Sequence, residues 1–275
     1  MLTAATAFSE TRSSTPVAPS LPELPEFKGT LQDYVKSPKR SPAHIDRNQY
    51  RHPVETLEFF GLKPDMTVVE VWPGSGWYTE ILAPYVKEKG LFYAAHFPEK
   101  SDIPFFNKMR AQFQKKLEQS PELYEKVKLT ALFPPTKETS NIPASSADLV
   151  LTFRNVHNWS KGGYDKAMFE AFHTMLKPGG TLGVVEHRAL IGASKENMIE
   201  SGYMSEEYVI DLAQKAGFKL ADKSDINANS KDSTKHPKGV WSLPPTLREG
   251  KANQEYYLNV GESDRMTLKF IKDVE

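Results

Sequence analysis

Three groups of residues in this chain have the type and spacing to do chemistry. The first is Arg154-Asn155-Val156-His157-Asn158-Trp159, which follows the apolar run Ala147-Asp148-Leu149-Val150-Leu151-Thr152-Phe153. The second is Glu186-His187-Arg188, which follows Thr181-Leu182-Gly183-Val184-Val185. Buried strands that end in polar side chains mark a site. His157 and His187 carry imidazoles, which act as general bases near neutral pH. Glu186 suits a cationic amine, and Asn155 or Asn158 suits the orientation of a polar substrate. Strand ends also need capping, so each of these groups has a purely structural use as well. The third group is the loop Trp72-Pro73-Gly74-Ser75-Gly76-Trp77-Tyr78 after Thr67-Val68-Val69-Glu70-Val71. Glycines there let the backbone approach a ligand and take positive φ. The helix that follows offers free N–H groups and a dipole suited to a carboxylate.

His96, His157, His187 and Glu186 would suit zinc or iron if the fold brought them together. No close-spaced ligand pair such as H-x-x-x-H supports this, and there is no cysteine to supply thiolate. No metal is expected. The lack of cysteine also excludes disulfides and cysteine nucleophiles.

The elements that must position these groups alternate along the chain. Strands are predicted over 67–72, a β-branched run, and over 91–96, 127–132, 147–153, 181–186, 218–223 and 266–271, short segments that alternate with helix-like ones. Helices are predicted from Pro53 to the stop at Gly61, over 77–86, within 104–128, over 164–176 and over 205–216. Phe59, Phe60, Phe105, Phe106 and Phe113 are expected in the core. The alternation of strand and helix predicts a parallel α/β sheet. Residues 1–45 are rich in Ser, Thr and Pro and read as a disordered or extended leader with at most a short helix at Leu31–Val35. The folded domain is expected over 46–275, with a long polar insertion at 227–261 that is either functional or mobile.

The 275 residues carry 35 Lys+Arg and 35 Asp+Glu, so net charge gives no reason to expect nucleic acid as a partner. No apolar run approaches the ~20 residues of a membrane span. Residues 1–8 are small and mildly apolar, without a basic start. They read as a tail, with a cytoplasmic protein, or as the remnant of an export signal. Oligomeric state is not legible.

Several of these segments together resemble one family. Glu70-x-x-x-Gly74-x-Gly76 is similar to motif I of the class I S-adenosylmethionine (SAM)-dependent methyltransferases. Ala147-Asp148-Leu149-Val150 with Asn155-Val156-His157 resembles their fourth strand and its loop. Leu176-Lys177-Pro178-Gly179-Gly180-Thr181-Leu182 resembles the turn before their fifth strand, and Ala216-Gly217-Phe218 a late turn. Tyr50-Arg51-His52-Pro53 and the WPGxGWYTE loop resemble a bacterial branch known as predicted methyltransferases, often with export-like leaders. The resemblance implies a Rossmann-like sheet of seven strands, order 3-2-1-4-5-7-6, with the seventh antiparallel. It implies SAM as cofactor, a small-molecule acceptor, and a cofactor site of Glu70, Trp72, Gly74, Ser75, Gly76, Tyr78, His96 and Asn155. His157, His187 and Glu186 are then the candidate catalytic residues. Tyr50 and His52 are candidates for a lid, and Tyr203 and Trp241 for the border of an acceptor pocket. Alternatives are the fold kept as a binding protein without methyl transfer, or a metal-assisted enzyme on the same scaffold.

Two departures stand out. Trp72-Pro73 replaces the first motif glycine and its neighbour. The end of the second strand is Ala94-Ala95-His96, where the family has an acid for the ribose hydroxyls. His96 can hydrogen-bond a ribose but cannot copy a carboxylate.

Overall fold

The computed structural model describes residues 29–134 and 141–274. The first 28 residues of the leader expected over 1–45, with the alternative of an export signal at 1–8, lie outside them. Seven strands form one sheet in the order β3-β2-β1-β4-β5-β7-β6. They are β1 (Thr67–Val71), β2 (Leu91–His96), β3 (Lys128–Ala131), β4 (Ala147–Phe153), β5 (Leu176–His187), β6 (Phe218–Ser224) and β7 (Arg265–Lys272). β1 to β5 pair in parallel, and β7 runs antiparallel between β5 and β6. The order implied by the family resemblance is the observed one.

The central strands are apolar on both faces because helices cover both. Along β4, Leu149, Leu151 and Phe153 face one core and Ala147 and Val150 the other. The first core holds α1 (Leu31–Val35), α4 (Pro53–Phe59) and α5 (Thr79–Val86). The second holds α8 (Val156–Gly162), α9 (Asp165–Met175) and α11 (Glu206–Lys215). Of the expected core aromatics, Phe60, Phe106 and Phe113 are buried. Phe105 is not: it is 59% exposed, because its neighbour Phe106 takes the inward side of α6 (Pro104–Gln119).

The leader boundary moves. Residues 29–45 already belong to the fold, as α1 and α2 (Pro42–Ile45). Leu31, Tyr34 and Val35 are buried, and Tyr34 meets Tyr85 of α5 edge to face. A trio of apolar residues five positions long outweighs the Ser/Pro-rich composition around it. Arg40, buried beside Glu80 at 3.6 Å, fixes the segment against α5. The segment continues into α3 (Asn48–Arg51) and so lies over the carboxyl ends of the strands.

The polar insertion is ordered. It carries a 3₁₀ turn (Gly239–Ser242) and α12 (Gln254–Val260). Its anchor is Asp232, which accepts hydrogen bonds from the hydroxyl of Tyr203 and the backbone N–H of Asp264 and pairs with His236 at 2.8 Å. No described helix is long and apolar enough to cross a membrane.

Candidate active site

The carboxyl ends of β1 and β4 open into a polar cleft of about 180 Å³. This is where parallel sheets of this kind bind ligands, beside the strand at which the order reverses. Glu70, Trp72, Gly74, Ser75, Tyr78 and Asn155, six of the eight expected cofactor residues, line it. Gly76 and His96 do not.

The glycine loop folds as its sequence requires. Gly74 has φ 59° and Gly76 φ 80°, both in the left-handed region. A Cβ on Gly74 would meet nothing within 4 Å, so this residue faces open space. A Cβ on Gly76 would sit 3.0 Å from Phe113, so that glycine serves packing. Glu70 is buried and accepts a 2.5 Å hydrogen bond from the Thr79 hydroxyl. Burial pushes its carboxyl up to about 7, against the lowering effect of Thr79. Asn155 donates to the carbonyl of Val71 at 3.1 Å and so ties the end of β4 to the end of β1. Tyr78 stacks on Phe153, ring centroids 3.5 Å apart.

The cleft also holds three arginines that the sequence does not single out. Arg47 and Arg51 come from the segment before α4, and Arg154 from the residue after β4. Glu262 accepts from Arg47 at 2.6 Å, from Arg51 at 3.0 Å and from Arg265 at 3.2 Å. Burial alone would raise the Glu262 carboxyl, but Arg51, Arg265, Arg154 and Arg47 hold it at about 2. Arg51 is held well below its ordinary value by burial and by Arg154. Arg154 lies deep but keeps contact with solvent, and burial lowers it to about 10. It sits at φ 61°. The sequence signals are present, in Tyr50-Arg51-His52 and in an arginine at a strand end, but the carboxylate they surround is 211 residues from Arg51.

His157, Glu186 and His187 come together beside the cleft without lining it. His157 Nδ1 donates to Glu186 Oε1 at 3.1 Å. The backbone N–H groups of His157 and His187 donate to the same carboxylate at 3.3 and 2.8 Å. Glu186 is fully buried, and these three groups satisfy its oxygens. His187 Nδ1 shares a 2.5 Å hydrogen bond with Ser263 Oγ, and burial followed by His157 and the arginines keeps it neutral. Trp241 and Tyr203, the expected pocket border, lie 6.0 Å from the His157 ring and 6.1 Å from the His187 ring, centroid to centroid. One candidate ligand atom from each of His157, Glu186 and His187 lies within 4.8 Å of the others, a spacing that could hold a metal. His96 is not part of that group.

The ends of β2 and β3 are different. Trp72 has φ 49°, so the backbone keeps the conformation a glycine would take there, but the indole turns inward. Its Nε1 donates to the carbonyl of Leu132, just past β3, at 2.9 Å. The ring packs on Phe97 at 4.5 Å and Phe106 at 5.6 Å. His96 is fully buried. Its Nδ1 accepts from the N–H of Phe97 at 2.7 Å, and its Nε2 faces the carbonyl of Gly74 at 3.3 Å. Burial lowers its pKa to about 4, so the ring is neutral.

No protein-family model matches the chain, and no curated protein matches it in sequence. Solved structures do match. A SAM-dependent methyltransferase from Aquifex aeolicus aligns over 89% of this chain and 99% of its own, with a TM-score of 0.55 and 18% identity. The fold is that of the SAM-dependent methyltransferases. A second methyltransferase, from Methanosarcina mazei, covers 80% of this chain and 97% of its own at a TM-score of 0.52 and 12% identity. The [4+2]-cyclase SpnF covers 89% of this chain and 92% of its own at a TM-score of 0.57 and 14% identity. The same fold thus carries different chemistries, and identities this low speak to fold alone.

SAM can be tried against these residues. Its amino-acid end fits the cleft: open space over Gly74, a buried carboxyl at Glu70, and cations at Arg51 and Arg154. Its nucleoside end would lie toward the end of β2, where His96 is already bonded on both nitrogens and the Trp72 indole fills the space. With the indole in that position the nucleoside end does not fit.

Proposed function

We propose that the protein is a SAM-dependent methyltransferase acting on a small-molecule acceptor, with SAM entering only when Trp72 leaves the ends of β2 and β3. The observation that carries this is the cleft at the carboxyl ends of β1 and β4, lined by Glu70 and the open face of Gly74, the residues that resemble the family's motif I. Glu70, Gly74, Ser75, Tyr78 and Asn155 would hold that end. When bound, SAM supplies an electrophilic methyl group. The chain's own part is positioning and proton removal. His157, oriented through Nδ1 by Glu186, is the base; Nε2 is the nitrogen left to take a proton. His187, kept neutral by burial, is a second hydrogen-bonding group. Trp241 and Tyr203 bound this region.

A second reading has its own observation. The indole and His96 close the nucleoside side with bonds internal to the protein. That favours a binding protein that keeps the fold without methyl transfer. Moving a caged indole costs on the order of 3 kcal/mol in lost burial. At about 1.4 kcal/mol per tenfold, SAM affinity falls roughly a hundredfold against an open loop.

Calorimetric titration of SAM and S-adenosylhomocysteine into the purified chain separates the two. Mass spectrometry first excludes carried-over ligand. Micromolar binding supports methyl transfer and calls for an acceptor screen. No heat at millimolar ligand, with nothing carried over, rejects it in favour of the second reading.

A further inference from the structure

We propose that the arginine-lined side of the cleft is a carboxylate-binding site, and that its ligand is a small molecule of about amino-acid size bearing a carboxylate there. Four guanidiniums, from Arg47, Arg51, Arg154 and Arg265, gather around Glu262. Glu262 accepts from the Nε of Arg47, the Nε of Arg51 and the Nη1 of Arg265. One buried nitrogen and one whole guanidinium are left. Arg51 Nη1 is buried with no hydrogen-bond partner. The Arg154 side chain makes no hydrogen bond or ion pair with any described residue, and it lines the cleft. The other acid on the cleft, Glu70, is taken by Thr79 and is only partly ionised near neutral pH.

Positive charge is therefore in excess where solvent is scarce. A buried cation without a partner is costly, and a bound anion removes that cost. Arg154 also occupies a left-handed backbone position at φ 61°, which Gly or Asn takes more easily. Its side chain is the reason to have an arginine there. A guanidinium presents a planar fork that matches the two oxygens of a carboxylate. The cleft, at about 180 Å³, is below the ~300 Å³ at which drug-sized pockets begin. A ligand of a few heavy atoms fits that space.

This inference shares its cleft with the methyltransferase reading. The carboxylate is either the amino-acid end of SAM or a group on the acceptor. The test is titration of malonate, L-methionine and S-adenosylhomocysteine into the full chain and into Arg154→Gln, with inorganic phosphate as comparison and melting curves for both proteins. Malonate or L-methionine is expected to bind with a Kd below about 1 mM, and Arg154→Gln to weaken it roughly tenfold or more. The melting temperature of Arg154→Gln should hold or rise, since an unpaired cation is removed; a purely structural arginine would instead lower it. If malonate and S-adenosylhomocysteine compete, the carboxylate is the cofactor's; if they bind together, it is the acceptor's. Malonate binding without S-adenosylhomocysteine binding keeps this site and removes the methyltransferase reading. No carboxylate binding, equal binding in Arg154→Gln, or binding of phosphate alone overturns the proposal.

Discussion

The two sides of the glycine loop differ in kind. Toward β1 and β4 the strand ends are wet and charged, with Arg51, Arg154 and Glu70 around a cleft. Toward β2 and β3 they are dry and aromatic, with Trp72, Phe97 and Phe106 packed ring on ring and His96 sealed beneath. One residue, Trp72, borders both. A binding fold can thus be closed on one side by filling it with a side chain, while the other side stays open. Fold similarity does not register that change, because the backbone at Trp72 keeps its left-handed turn.

The largest effect is expected where the sides meet. Trp72→Gly removes the indole and relieves the positive φ. Emptying a tryptophan site costs about 3–5 kcal/mol, and the relieved backbone returns roughly 1 kcal/mol of it. Unfolding in urea should show the net loss. Affinity for S-adenosylhomocysteine should rise at least tenfold; unchanged affinity would mean the indole is not what closes the dry side.

Glu70→Gln tests the wet side through pH. Burial pushes the Glu70 carboxyl up to about 7, from about 4.5 for an ordinary glutamate. The folded state therefore holds a proton that the unfolded chain gives up earlier. Stability is lost as pH rises from about 4.5 through 7, amounting to about 3 kcal/mol by pH 8. His96, with its pKa lowered to about 4, acts in the opposite direction: its contribution is lost as pH falls from 6.5 toward 4. That term is common to both proteins and cancels in their difference. The variant should gain on wild type at pH 8 and not at pH 5. Equal differences at the two pH values would show that the Glu70 carboxyl is not desolvated.

Gly74→Val should have the smallest effect on the fold. A Cβ there meets no atom within 4 Å, so the main cost is the left-handed backbone, about 1–2 kcal/mol. The melting temperature should drop slightly while ligand binding in the cleft is lost. Retained binding would mean that ligands do not approach the loop backbone.

Much of the fold was legible because its signals are local. β1, β4 and β7 announce themselves as short runs with β-branched residues, β2 as an apolar and aromatic run, and β4 and β5 end in polar residues. The sequence reads as loop where the structure forms α8, because Asn155-Val156-His157-Asn158 are weak helix formers and packing of Trp159 overrides them. In the site, Glu70 and Gly74 were legible from one motif. The arginine cluster was not, since Arg47 and Glu262 are joined only by the fold, 215 residues apart. Trp72 and His96 were legible as departures, but the inward turn of the indole toward Leu132 depends on contacts between strand ends that a sequence does not display.

Trp77 stands on the wall of the cleft between two guanidiniums, Arg51 at 4.6 Å and Arg40 at 4.9 Å from its ring centroid. An indole's emission responds to charge at its face. Any ligand that draws Arg51 toward the cleft changes that field. The protein thus carries a native optical probe of its own occupancy, next to the arginine a ligand would disturb.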